Sequence, residues 1–147
     1  MSQKLPYKYN LRPSSPDSRD YSYKQEEQTI RDVVDLREYD SPVEDQGHLG
    51  SCAAHSVTSA YENLVKQKYP EYYTELSRLY HYYHTRYIEK NILQDMGVMY
   101  LRNDMQSLEK YCICAESFWP YNVYKFNVQP LPPAYADAPQ RTIVGYA

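Results

Sequence analysis

The residues of this chain best suited to chemistry are Gln46 and Cys52, a glutamine and a cysteine six positions apart. Gly47 and Gly50 allow the loop between them to fold back tightly, and the loop runs directly into a helix-forming segment. The free N–H groups and partial positive charge of a helix start favour thiolate over thiol. A thiolate attacks a carbonyl carbon, and the Cys52 N–H and Gln46 amide are two donors for the resulting oxyanion. The pattern predicts nucleophilic catalysis by Cys52, with Gln46 as an oxyanion donor.

The four histidines are weaker candidates. His55 lies three residues after Cys52 and is expected to have a structural role, with a role as the base as the alternative. His48 lies in the loop beside the nucleophile, where both a surface imidazole and a direct catalytic part stay open. His81 and His84 have the spacing of adjacent helix turns, but two ligands do not make a metal site. We expect them on a helix surface and predict no metal or other cofactor.

The remaining cysteines, Cys112 and Cys114, are separated by a single residue, a spacing that rarely supports a disulfide bond. We expect buried thiols there, with a metal site or a redox pair as alternatives. An odd set of three cysteines favours a reducing compartment, the cytoplasm. A thiol redox sensor that uses Cys52 is a further hypothesis for the chain.

The segment Gln46-Gly47-x-x-Gly50-Ser51-Cys52-x-Ala54, preceded by Val34-Asp35-Leu36-Arg37, resembles the papain-like cysteine peptidases of the C1 family. Glu116 with Trp119-Pro120-Tyr121 resembles that family's glutamate and aromatic-Pro-Tyr element. Pro132 to Ala138 is similar to its Tyr-x-x-Ala stretch. The resemblance covers roughly residues 33–147 and favours the compact bacterial and viral type.

Two positions of the motif depart from the plant and lysosomal enzymes of the family. The usual cysteine three positions before the nucleophile is Leu49, which removes a disulfide partner, and the usual aromatic residue after it is Ala53. The family histidine and asparagine lie about 130 to 150 residues downstream of the cysteine. Only 95 residues (147 minus 52) follow Cys52, so we expect both partners outside this chain.

The resemblance implies an α+β, papain-like fold, represented mostly by the helical left domain with a central helix that starts at Cys52. The β-rich right domain is expected to be largely missing. Peptide or protein substrates are the implied partners, with a complementary C-terminal domain or chain as a further one. The family's substrate contacts are expected at the following positions: Gly50, Ser51, Gly97, Val98 and Met99.

Hydrophobic spacing predicts the elements that must position these residues. Apolar residues recur at three and four from Ala54 to Val65, which predicts a central helix over 51–66 with that face buried. Further helices are predicted from a Thr74 cap to Ile88 and over 100–111, with a loop over 91–97 between them. Pro130 to Pro133 is expected to interrupt regular structure, before a strand that begins at 142–144. Residues 29–37 are expected to be extended.

Residues 1–31 are rich in proline and turn-forming residues, which predicts an extended arm before a peptidase domain over 32–147. The arm is either a short inhibitory or regulatory segment or an ordered strap on the surface. A net charge of -3 gives no electrostatic footprint for nucleic acid or an anionic membrane. No signal peptide or transmembrane segment is expected. Besides a cysteine peptidase, the sequence is compatible with an inactive half-domain that acts as an interaction or regulatory module.

Overall fold

The computed structural model describes residues 11–18 and 32–144 of the chain. Four α-helices form its framework: α1 (Cys52–Lys68), α2 (Arg78–Ile88), α3 (Leu101–Tyr111) and α4 (Pro132–Asp137). Short 3-10 turns lie at Arg37–Tyr39, Pro70–Tyr72, Glu116–Phe118, Val123–Lys125 and Ala138–Gln140. Within the described ranges there is no β-strand, only one antiparallel bridge between Leu76 and Ala115. None of the helices in these ranges is long and apolar enough to cross a bilayer.

Helix α1 confirms the predicted central helix and begins at Cys52 itself. Its buried face differs from the predicted one, because the fully buried positions run through Ala54, Thr58 and Glu62 while Leu64 is 57% exposed. Glu62 is buried because it is paired: one carboxylate oxygen lies 3.0 Å from Arg78, and the other accepts the Leu76 N–H at 2.7 Å. A buried carboxylate is tolerated only with such partners. The pair ties α1 to the start of α2.

Helix α2 is buried along almost its whole length, from Arg78 to Arg86. The predicted cap at Thr74 is wrong, since the Ser77 hydroxyl oxygen accepts the Tyr80 N–H at 3.1 Å and begins the helix there. The predicted surface positions of His81 and His84 are also wrong. Neighbouring segments cover α2 on several sides: His81 lies 3.2 Å from Asp104 of α3, and the ring of His84 packs against aromatic rings of other segments.

Two charged side chains near the end of α2 fix the predicted loop over 91–97. The Arg86 guanidinium donates to the carbonyl oxygens of Ile92 and Gln94 at 3.0 and 3.1 Å. The Glu89 carboxylate accepts the backbone N–H groups of Met99 and Tyr100 at 2.9 and 3.1 Å. This irregular segment is therefore held by Arg86 within α2 and by Glu89, the residue that directly follows the helix.

The C-terminal part departs from two predictions. Residues 142–144 form no strand, although the Arg141 carbonyl accepts the Ile113 N–H at 3.1 Å. The proline-rich run does not interrupt regular structure throughout, because α4 begins within it at Pro132, a position where the missing N–H of proline costs no helical hydrogen bond. Of the predicted extended stretch, residues 29–31 lie outside the described ranges, residues 32–36 are not helical, and Arg37 opens a 3-10 turn.

Candidate active site

Cys52 is an exposed, free thiol at the first residue of α1. The preceding carbonyl, that of Ser51, accepts the first helical hydrogen bond from the His55 N–H at 3.0 Å. The N–H groups of the first turn point away from this ladder and have no intrahelical partner. The Cys52 side chain therefore lies where free donors and the positive end of the helix dipole meet.

The loop before Cys52 folds back on itself through two local hydrogen bonds. Gly47 has a φ of 61°, a left-handed conformation that glycine adopts without strain, and its N–H donates to the Asp45 carboxylate at 2.8 Å. The Gln46 side-chain amide donates to the Leu49 carbonyl at 2.8 Å. Because an amide nitrogen carries two protons, this bond leaves Gln46 with a second N–H donor. Leu49, at the position of the missing cysteine, is buried in the core.

The backbone of this loop lies directly against Gly97. A Cβ atom placed on Gly50 would lie 2.8 Å from the Gly97 Cα, so only glycine fits there, and Gly97 itself has a φ of 70°. The Gly50 N–H donates to both carboxylate oxygens of Asp95, at 3.0 and 3.2 Å, and the Tyr82 hydroxyl donates to the same carboxylate. The structure thus brings together Gly50 and Gly97, two residues that the sequence predicted to contact substrate.

Tyr121 holds the other side of the loop. Its hydroxyl donates to the Gln46 carbonyl at 3.0 Å and lies 2.7 Å from the Ser51 hydroxyl oxygen. Its ring meets His55 edge to face, with centroids 5.0 Å apart. Sequence reasoning recognised Tyr121 only as part of the aromatic-Pro-Tyr element, and it missed Asp95 altogether. The available signal for Asp95 was its position two residues before Gly97.

The other predicted substrate positions differ in how accessible they are. Val98 is 4% exposed and packs in the core, so its side chain offers little surface to a ligand. Met99 is half-buried, and its carbonyl accepts the Arg12 N–H of the N-terminal arm at 2.7 Å. Ser51 is fully buried. Their roles in substrate binding stay predictions.

The histidines and the remaining cysteines differ in burial. The Nδ1 of His55 lies 2.9 Å from the Ser51 carbonyl, and burial lowers the pKa of this imidazole. Burial also lowers the pKa of His84 to about 4. His48 is exposed in the loop. Cys114 is buried, which raises the pKa of its thiol to about 12, whereas Cys112 is half-buried. In the described part of the chain no three potential metal ligands cluster.

Comparison with known proteins finds similar chains, although no family model matches this one. A mimivirus protein from Acanthamoeba polyphaga mimivirus, named an uncharacterised peptidase C1-like protein, is 35% identical over 118 residues, which are 80% of this chain and 37% of that protein. Xylellain, a cysteine protease from Xylella fastidiosa, superposes with a TM-score of 0.80 at 28% identity over 99% of this chain. This chain is related to the papain-like cysteine peptidases.

The same comparisons confirm the predicted papain-like fold. Procathepsin L 3 from Tenebrio molitor superposes with a TM-score of 0.68 at 21% identity over 85% of this chain, which supports the fold alone. The chain spans 59% of xylellain and 39% of the procathepsin chain. The described residues contain helices and no strand, and they match part of each of these structures.

The Glu116 carboxyl, which contacts Tyr121 beside the site, lies in an environment that disfavours its ionised form. One carboxylate oxygen accepts the Tyr121 N–H, while the other is buried without a hydrogen-bond partner among the described residues. Burial raises the pKa of this carboxyl from 4.5 to about 7, against the opposing effect of the Tyr121 N–H. The folded protein therefore favours the protonated acid at pH values where the unfolded chain is ionised.

Replacement of Glu116 by glutamine tests this environment. Because the folded-state pKa is raised, the stability that Glu116 contributes is fully present below pH 4.5 and is lost as the pH rises to about 7. Glu116→Gln keeps an acceptor for Tyr121, so its free energy of unfolding relative to the original protein should rise between pH 4.5 and 7. Urea unfolding across that range measures the difference. Glu71→Gln, at an exposed carboxyl, is the control. If the difference in unfolding free energy between Glu116→Gln and the original protein did not change with pH, the raised pKa of Glu116 would be contradicted.

Proposed function

We propose that this chain supplies the nucleophile-bearing half of a cysteine peptidase. The observation that carries the proposal is the exposed Cys52 thiol at the first residue of a 17-residue helix, directly after a loop that contains Gln46. The similar proteins are named a peptidase C1-like protein and a cysteine protease, which supports the same chemistry here. Peptide or protein chains are the proposed substrates.

The reaction that fits these residues is acyl transfer. The Cys52 thiolate attacks the peptide carbonyl carbon, an S–C bond forms, and the carbonyl oxygen takes up negative charge. The Cys52 N–H and the second N–H of Gln46 stabilise this oxyanion. The C–N bond then breaks, and the leaving amine receives a proton from a histidine outside this chain. Water hydrolyses the thioester and regenerates the thiol.

The substrate backbone is proposed to lie beside Gly97. An extended peptide pairs with a loop through main-chain hydrogen bonds, and the proposed partner is the loop around Gly97, whose glycine is itself buried against the Gly50 backbone. Met99 flanks this position and favours an apolar substrate residue. The β-rich half, supplied by the same or a separate chain, completes the cleft.

A peptide nitrophenyl ester tests the nucleophile without the missing base, because its nitrophenolate leaving group departs without being protonated. We expect the 147-residue chain to gain one acyl group on Cys52. Intact mass and peptide mapping measure this change. Loss of an oxyanion donor in Gln46→Ala should slow acylation by roughly a hundredfold.

Controls separate this proposal from its alternatives. Gln67→Ala, at the other end of α1, should acylate at the original rate, and Cys52→Ser should not be labelled within the same time. A folded chain that is not acylated would favour the inactive interaction module instead. Rapid peroxide oxidation of Cys52 without acylation would favour the redox sensor.

The N-terminal arm is proposed to regulate this site. Of residues 1–31, the structure describes 11–18, and here the Arg12 N–H donates to the Met99 carbonyl at 2.7 Å while Asp17 lies 3.3 Å from Arg102. The arm thus occupies a backbone acceptor two residues from Gly97. A substrate strand that lies beside Gly97 would have to displace it.

A pair of variants at one position tests the arm. Arg12→Pro removes the backbone N–H, whereas Arg12→Ala removes the same side chain but keeps that N–H. If the arm competes with substrate, Arg12→Pro should be acylated by the peptide ester about fivefold faster than Arg12→Ala, the equivalent of one hydrogen bond. Equal rates for the two variants would show that this contact does not regulate the site.

A further inference from the structure

The two serines that begin α1 and α2 behave differently. Ser77 caps α2: its backbone is extended, with ψ of 100°, and its hydroxyl oxygen accepts the Tyr80 N–H at 3.1 Å. Ser51 precedes α1 in the same way but makes no side-chain cap, and its ψ of 17° lies outside the extended region that capping residues use. The same residue type therefore caps one helix and leaves the other uncapped.

The partner of the Ser51 hydroxyl explains the difference. The Tyr121 hydroxyl has one proton, which it donates to the Gln46 carbonyl at 3.0 Å. In the 2.7 Å contact between the two hydroxyl groups, Ser51 must therefore be the donor. Ser51 is fully buried and Tyr121 half-buried, so water does not compete freely for this bond. The hydrogen bond directs the serine side chain toward Tyr121 and away from the first turn of α1.

We propose that Tyr121 is a positioning residue that keeps the start of α1 uncapped for the reaction at Cys52. The N–H groups of the first turn that a cap would bind, those of Ala53 and Ala54, do not donate to the Ser51 side-chain oxygen. Their partial positive charge then acts on the adjacent thiolate instead of being satisfied by a serine oxygen. The same tyrosine holds the Gln46 carbonyl, so one hydroxyl group fixes both parts of the site. This inference rests on the proposed function but concerns the thiol alone.

The test is the rate at which iodoacetamide alkylates Cys52 in the 147-residue chain, followed by mass mapping of the labelled cysteine. In Tyr121→Phe, Ser51 is released to cap α1 as Ser77 caps α2. We expect alkylation at pH 7 to slow by roughly two- to fivefold and the pH–rate profile to move to higher pH. Tyr124→Phe, at an 84% exposed tyrosine, is the matched control and should alkylate at the original rate.

A double variant shows whether the effect passes through Ser51. Tyr121→Phe combined with Ser51→Ala has no hydroxyl to cap the helix, so alkylation should return to the original rate. An unchanged rate in Tyr121→Phe, or an equally slow rate in the single and double variants, would overturn the proposal.

Amide hydrogen exchange gives a second readout. The Ala54 N–H should exchange more slowly in Tyr121→Phe than in the original protein, because the released serine oxygen now accepts it. A purely structural role for Tyr121 predicts faster exchange there, and that result would also overturn the proposal. Neither readout requires peptide cleavage, so a failure of the peptidase assignment is distinguishable from a failure of this inference.

Discussion

The backbone of Gly50 lies against the backbone of Gly97, and the geometry of the candidate site depends on this contact. Any side chain at Gly50 would meet the Gly97 Cα at 2.8 Å, so the loop before the nucleophile can approach the 91–97 loop only as glycine on glycine. Asp95 fixes the contact by accepting the Gly50 N–H with both carboxylate oxygens. Because Cys52 follows two residues later, the start of α1 is placed by the same contact.

Charged side chains in and beside α1 and α2 hold the segments that make this contact. Arg86 and Glu89, both near the end of α2, bind the backbone of the segment that carries Asp95 and Gly97. The buried pair of Glu62 and Arg78 in turn joins α2 to α1. Buried ion pairs such as Glu62 with Arg78 hold segments in a defined geometry at a cost in desolvation. In the described part of the chain they take the place that strands and disulfide bonds often fill, since all three cysteines are free.

The sequence allowed prediction of the nucleophile loop, the start of α1, the position of α3 and the loop over 91–97. These features depend on local chemistry: glycine positions, helix periodicity and a motif of adjacent residues. The burial of His81 and His84 could not be predicted, because their helix is covered by segments distant in sequence. The Thr74 cap failed for a related reason, since two nearby residues can cap and only tertiary packing selects Ser77. Asp95 and Tyr121 were missed as parts of the site because each acts across a long chain separation, 45 residues to Gly50 and 75 to Gln46.

The most direct measurement of the central claim is the acylation rate of Cys52 in Gly50→Ala, with helical content followed by circular dichroism. If the contact between Gly50 and Gly97 places the nucleophile, the added methyl group should push the two loops apart and slow acylation by about tenfold or more while the helices remain. Acylation at the original rate in a folded Gly50→Ala protein would contradict the account.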